Sequence, residues 1–273
     1  MPTIDTRPDG VPVWFDLSSS DPDAAAKFYG ELFGWDRTEP AEQFGGYANF
    51  TFQDKLIAGI GPKMAPDTPD FWGMYFQTSD IGSSVKKVTE AGGSILVEPM
   101  EIPELGTMAI ATDRGSNPDS APGSNPHGAV FGFWEPQSHK GFELYMEVGA
   151  PCYFELETTD FPAAVEFYRE VLGTPVITVG DTEEFRYSQL ALPGQGPGEG
   201  HAGIMDASSY LPPEVPSHWS VYVGVKSADA TAAKVTELGG TVVAEPEDTP
   251  YGRLATIGDP WGALLKLHQV LES

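Results

Sequence analysis

The chain has 273 residues, 40% of them hydrophobic, a formal net charge of −25 and a single cysteine. The length suggests about two domains, and the apolar share exceeds that of a disordered chain. The acidity excludes the basic surface that nucleic acid demands, and no apolar run approaches the ~18 residues that span a bilayer.

The opening MPTIDTRPDG holds no apolar segment, so no secretory leader is expected. Lone Cys152 can form no internal disulfide, which fits a cytoplasmic protein. It sits among apolar neighbours in a strand-like run, as an inert buried thiol does.

From Val13, apolar Val13, Phe15 and Leu17 alternate with Trp14, Asp16 and Ser18, the period of a strand with two distinct faces. Asp21-Pro22 reads as an N-cap and first turn. Ala25, Phe28, Tyr29 and Leu32 follow at helical spacing, and Gly34 is placed to close the helix. Strand-like runs at 36–39, 47–53 and 56–61 complete a strand–helix–three-strand module.

A second module starts at Phe71: a strand, a helix over 83–90 stopped by Gly92-Gly93, and three more strands. Between the last two lies a Pro/Gly/Ser/Asn-rich excursion at 114–124, read as a surface loop or a lid.

Both modules recur. Trp14 and Tyr29 correspond to Tyr153 and Tyr168 at a spacing of 139 residues (153 − 14 and 168 − 29). VTEAGG at Val88 and GTMAIATD at Gly106 return as VTELGG at Val235 and GRLATIGD at Gly252. Such repetition sets the architecture before any motif is read. The expected fold is α+β: tandem domains at 1–140 and 149–273, each a pair of βαβββ modules forming a half-open barrel with helices outside. The glycine-rich loop at 193–200 has no Lys-Ser/Thr and is broken by prolines, so it reads as a connection rather than a phosphate cradle.

Alternation assigns the concave faces. In the first domain Trp14, Asp16, Tyr75, Val130 and Trp134 should point inward, with Gly132 leaving room. In the second, Tyr153, Glu155, Tyr222, Lys266 and His268 should do so. The first set suits a flat, apolar ligand, or packs as a filled barrel. Asp16 and Glu155 are the candidate general bases, or structural acceptors. Glu155 with Lys266 makes a cavity ion pair or a catalytic one. His201 and His218 fall at loop–strand junctions and, with His268, make either a metal site of their own in the second domain or ordinary exposed and core histidines; His127 and His139 sit in or beside loops.

These residues resemble the vicinal oxygen chelate superfamily of glyoxalases, bleomycin-resistance proteins and extradiol dioxygenases. The resemblance rests on Asp21, Phe28-Tyr29, Leu32-Phe33-Gly34-Trp35 and their second copy from Asp160 to Gly173. Gly92-Gly93, Gly239-Gly240 and Asp259-Pro260-Trp261-Gly262 extend it over the whole chain. It implies a divalent metal held by His and Glu. The positions it assigns to ligands carry Trp14 and Tyr153 on the first strands and Gly132 and Lys266 on the last. No metal and no other cofactor is therefore expected.

The functional expectation is a metal-free binder of a small aromatic or apolar molecule, of the sequestration or resistance type. The alternative is a cofactor-independent lyase, isomerase or cyclase using an inward carboxylate; a metal-dependent lyase or dioxygenase ranks behind it. The expected partner is a small molecule, and the expected assembly a monomer or homodimer.

Overall fold

A computed structural model describes residues 7–65, 67–115 and 128–270. The excursion expected at 114–124 lies outside the described residues from 116 onward, as does His127.

The first half builds β1 (Pro12–Ser19), α1 (Pro22–Phe33), β2 (Asp36–Arg37), β3 (Ala48–Phe52), β4 (Lys55–Pro62), β5 (Phe71–Gln77), α2 (Ile81–Glu90), β6 (Ser94–Ile102), β7 (Gly106–Thr112) and β8 (Val130–Pro136). The second half repeats the order. It runs through β9 (Pro151–Thr158), α3 (Phe161–Leu172), β10 (Val176–Asp181), β11 (Arg186–Leu190), β12 (Ala202–Asp206), β13 (His218–Val225), α4 (Ala228–Glu237), β14 (Thr241–Thr249), β15 (Gly252–Gly258) and β16 (Leu264–Gln269).

Each half forms one mixed eight-stranded sheet, not a closed barrel. The orders are β2-β3-β4-β1-β5-β8-β7-β6 and β10-β11-β12-β9-β13-β16-β15-β14. In both, the first strand of a module runs parallel to its last, β1 to β4 and β5 to β8, β9 to β12 and β13 to β16.

The helix ends follow the sequence signals. Asp21 and Asp160 accept from the backbone N–H three residues on, and Gly34 and Gly173 close α1 and α3 in the left-handed region, which glycine adopts without steric cost. The helix expected at 83–90 begins two residues earlier. Asp80 caps Ser83 N, and Glu135 Oε2 accepts from Ile81 N at 3.0 Å, satisfying two orphan donors. The corresponding N–H in α4, from Ala228, is met by the amide oxygen of Gln269 at 3.0 Å. A 3-10 turn, Glu42–Phe44, lies between β2 and β3.

Packing divides the chain differently from hydrogen bonding. One compact unit gathers Met1–Val13, Met74–Lys140 and Phe154–Trp219; the other gathers Trp14–Gly73, Gly141–Tyr153 and Ser220–Ser273. The first is built on the inner modules of the sequence, the second on the outer ones. Each has an aromatic core crossed by a buried Trp–Tyr–Asp relay. In the outer-module unit Trp72 Nε1 donates to Tyr29 Oη at 3.0 Å, and Tyr29 Oη donates to Asp259 Oδ2 at 2.9 Å. The other oxygen of Asp259 accepts from Trp261 N and Ala263 N, closing the turn before β16. In the inner-module unit Trp219 Nε1 donates to Tyr168 Oη at 2.9 Å, and Tyr168 donates to Asp113 at 3.2 Å. Asp113 Oδ1 accepts from Gly115 N and Ala129 N. Burial, then the neighbouring carboxylate, pushes both phenols far above their ordinary values.

Candidate functional site

The inward set divides between the two units. Val13, Phe15 and Leu17 are fully buried, as expected of the helix-facing side of β1. Opposite them, in the outer-module unit, Trp14 Nε1 donates to Tyr47 Oη at 2.9 Å, and Tyr47 Oη donates to Asp16 Oδ2 at 3.1 Å. Tyr47 precedes β3, two strands from β1, and its phenol reaches across β4. It can do so because Gly59, the register partner of Asp16, has no side chain. A Cβ there would overlap the Tyr47 hydroxyl and lie 2.9 Å from Asp16 Cβ.

The second half repeats the pair inside the inner-module unit. Tyr187 Oη donates to buried Glu155 Oε2 at 3.0 Å, and Glu155 is again in register with a glycine, Gly203. Both candidate bases are thus hydrogen-bonded to a tyrosine that alternation did not pick.

In the same inner-module unit, Tyr75 and Gly132 are register partners. A Cβ on Gly132 would overlap the Tyr75 ring, so the ring occupies the space a side chain would claim. Trp134 and Val130 flank Gly132 on the same face of β8. Their partners across β7 are Met108, Ile110 and Thr112, and β6 adds Val97 and Met100. Cross-strand partners share a face, so this half-sheet presents a largely apolar surface with two aromatic rings, bounded by Thr112 and Ser94 at the Val130 end. Tyr75 and Trp134 are buried, whereas Val130 is 39% exposed and Met100 41%. The Trp134 indole is held by a 2.8 Å bond to His139 O.

The outer-module counterpart is more polar. Lys266 Nζ lies 5.2 Å from the centroid of the Tyr222 ring, within cation–π range, and Tyr153 meets Tyr222 edge-on at 6.1 Å. His268 Nδ1 lies 3.6 Å from Cys152 Sγ, and Nε2 lies 3.0 Å from Tyr251 O. Burial pushes the Cys152 thiol up to about 12, which removes it as a nucleophile. His201, on a different unit, contacts Gly10 O through Nε2 at 3.2 Å; His218 pairs with Glu157 at 3.2 Å.

The metal implied by the resemblance does not fit these residues. Its assigned positions hold an indole, a phenol, a glycine and an ammonium, where divalent metals require imidazole, carboxylate or thiolate. Among the described residues no three His, Cys, Asp or Glu side chains cluster to hold an ion.

A family profile described as the Glyoxalase/Bleomycin resistance protein/Dioxygenase superfamily matches residues 12–118 and 153–267. The glyoxylase-named protein CFP32 of Mycobacterium tuberculosis (strain CDC 1551 / Oshkosh) is 34% identical, covering 98% of this chain and 97% of its own. The anthracycline biosynthesis protein DnrV of Streptomyces peucetius is 33% identical, covering 93% of this chain and 91% of its own. Among solved structures, a Mn(II)-bound glyoxalase from Novosphingobium aromaticivorans aligns with a TM-score of 0.62 at 16% identity, covering 97% of this chain and 83% of that one. The halotolerant catechol dioxygenase BphC aligns at 0.61 and 14%, covering 96% and 87%. At such identities the two structures speak for the fold alone.

Proposed function

Because this chain belongs to the glyoxalase/bleomycin resistance protein/dioxygenase superfamily, we propose that it binds a small, flat aromatic molecule without a divalent metal. The ligand lies on the apolar face around Tyr75, Gly132 and Trp134. One observation carries this reading: the ring of Tyr75 fills the space beside Gly132, where the resemblance calls for a metal-binding carboxylate. An aromatic wall replaces a coordination site. Apolar surface with a few polar groups at its edge is the usual character of a small-molecule pocket. DnrV is named for the biosynthesis of anthracyclines, whose hydroxyanthraquinone part is flat and aromatic, and a ring system of that shape suits this face.

The test is a fluorescence titration of chelator-treated protein with a hydroxyanthraquinone. Saturable quenching is expected, weakened at least tenfold by Val130→Glu, which places a charge on the exposed part of the face. Binding that appears only after adding a divalent metal, or that ignores Val130→Glu, contradicts the proposal.

A second reading has its own support in the Trp14–Tyr47–Asp16 relay. A carboxylate beside a phenol can take a proton from a bound substrate. Loss of turnover of an identified substrate in Asp16→Asn, with binding retained, selects this reading; unchanged turnover removes it.

A further inference from the structure

Four buried polar side-chain atoms lack a hydrogen-bond partner among the described residues, and one of them belongs to the aromatic face. It is Oγ1 of Thr112, the last residue of β7 and only 3% exposed. Thr112 pairs in register with Val130 on β8 and with Ser94 on β6. Cross-strand partners share a face, so its side chain stands on the same side of the sheet as Val130, Gly132 and Trp134. Ser94, directly opposite, gives the hydroxyl no bond.

An unmet buried hydroxyl weakens a fold and is uncommon in native chains. The scaffold does not require this one. The corresponding position of the repeat, on β15, is Gly258, in register with Leu264 and Thr241. The polar atom is therefore particular to the face that carries Tyr75, Gly132 and Trp134. Its unmet need is an acceptor, because an orphaned donor is harder to tolerate than an under-used lone pair.

We propose that Thr112 is the polar anchor of this face, and that the ligand is a fused-ring aromatic ketone or quinone whose ring carbonyl accepts from Thr112 Oγ1. The proposal rests on the reading of this face as an aromatic binding surface. Position sets the size of the ligand. Thr112 lies two residues along the strands from Gly132 and one strand across, roughly 7 Å and 5 Å. A single ring stacked over Gly132 falls short of it, whereas two or three fused rings cover both. Ring carbonyls lie in the plane of such a system, so one can meet a hydroxyl at the border while the rings stay on the apolar part. The hydroxyl is covered as the chain stands. Its uptake requires a local side-chain shift, and 39% exposed Val130 is the neighbour on the ligand side. A site built around this bond discriminates against the same rings without the carbonyl.

The experiment titrates chelator-treated wild-type, Thr112→Val and Thr112→Ser proteins with 2-hydroxyanthraquinone and with 2-hydroxyanthracene, followed by tryptophan fluorescence. The probes share their rings and hydroxyl and differ in the ring carbonyls. Thr112→Val is expected to weaken the anthraquinone about fivefold and to change the anthracene by less than about twofold. Thr112→Ser, which keeps the hydroxyl, should keep the preference. A thermal melt without ligand is the second readout: Thr112→Val removes an unmet hydroxyl and should raise the midpoint. Equal weakening of both probes, unchanged binding of the anthraquinone, or a lowered midpoint in Thr112→Val overturns the inference and leaves the aromatic face standing. Failure of both probes to bind the wild-type chain removes the aromatic-face reading and this inference with it.

Discussion

Tyr29 and Asp259 lie 230 residues apart in the chain and share a 2.9 Å hydrogen bond in the core of the outer-module unit. The phenol both receives from Trp72 and gives to Asp259, so it satisfies two buried groups at once. Tyr29→Phe deletes the shared oxygen and takes the bond from Trp72 Nε1 and from Asp259 Oδ2. We expect a loss of about 1–3 kcal/mol in chemical denaturation. Tyr168→Phe should cost a similar amount through Trp219 and Asp113. A change within error in both variants would mean that water replaces the lost oxygen.

Stability against pH should show two opposed titrations. Burial raises the Asp113 carboxyl to about 6. The folded state then takes up a proton before the unfolded one, and Asp113 adds stability as pH falls from about 6 towards 4, by at most about 3 kcal/mol. Burial lowers His201 to about 4. There the unfolded state is protonated first, and stability is lost as pH falls from about 6.5 to 4. The two contributions offset one another in the natural chain. Asp113→Asn should therefore steepen the loss of stability between pH 6 and 4, and His201→Gln should flatten it. Parallel profiles for all three proteins would contradict both assignments.

Gly132→Ala tests the close approach beside Tyr75. The added methyl overlaps the ring, so Tyr75 must leave its place or β8 must shift. A destabilisation of about 1–3 kcal/mol is expected, together with loss of hydroxyanthraquinone binding. Full binding with unchanged stability would show that the ring moves freely and forms no wall.

Much of this architecture is legible in the chain. The repeat, the Asp21 and Asp160 caps and the Gly34 and Gly173 stops are local signals, and the structure follows them. Alternation also places Trp14 and Asp16 on the face opposite Phe15, because one residue of period two decides a face. The partners of those residues were not legible. Tyr47 meets Asp16 only because β4 lies between them and carries glycine at position 59. The Tyr29–Asp259 and Tyr168–Asp113 bonds depend on how modules pack, which spacing does not encode. A signal existed: both tyrosines and both aspartates sit in the repeated segments. Repetition marks such residues as constrained without saying by what.

The central claim is that an aromatic ligand replaces the metal, and native mass spectrometry of protein purified gently from its own cells, without chelator, tests it most directly. We predict a species carrying an organic adduct and no divalent metal. A first-row metal ion retained at one per chain, with no organic adduct, would contradict it.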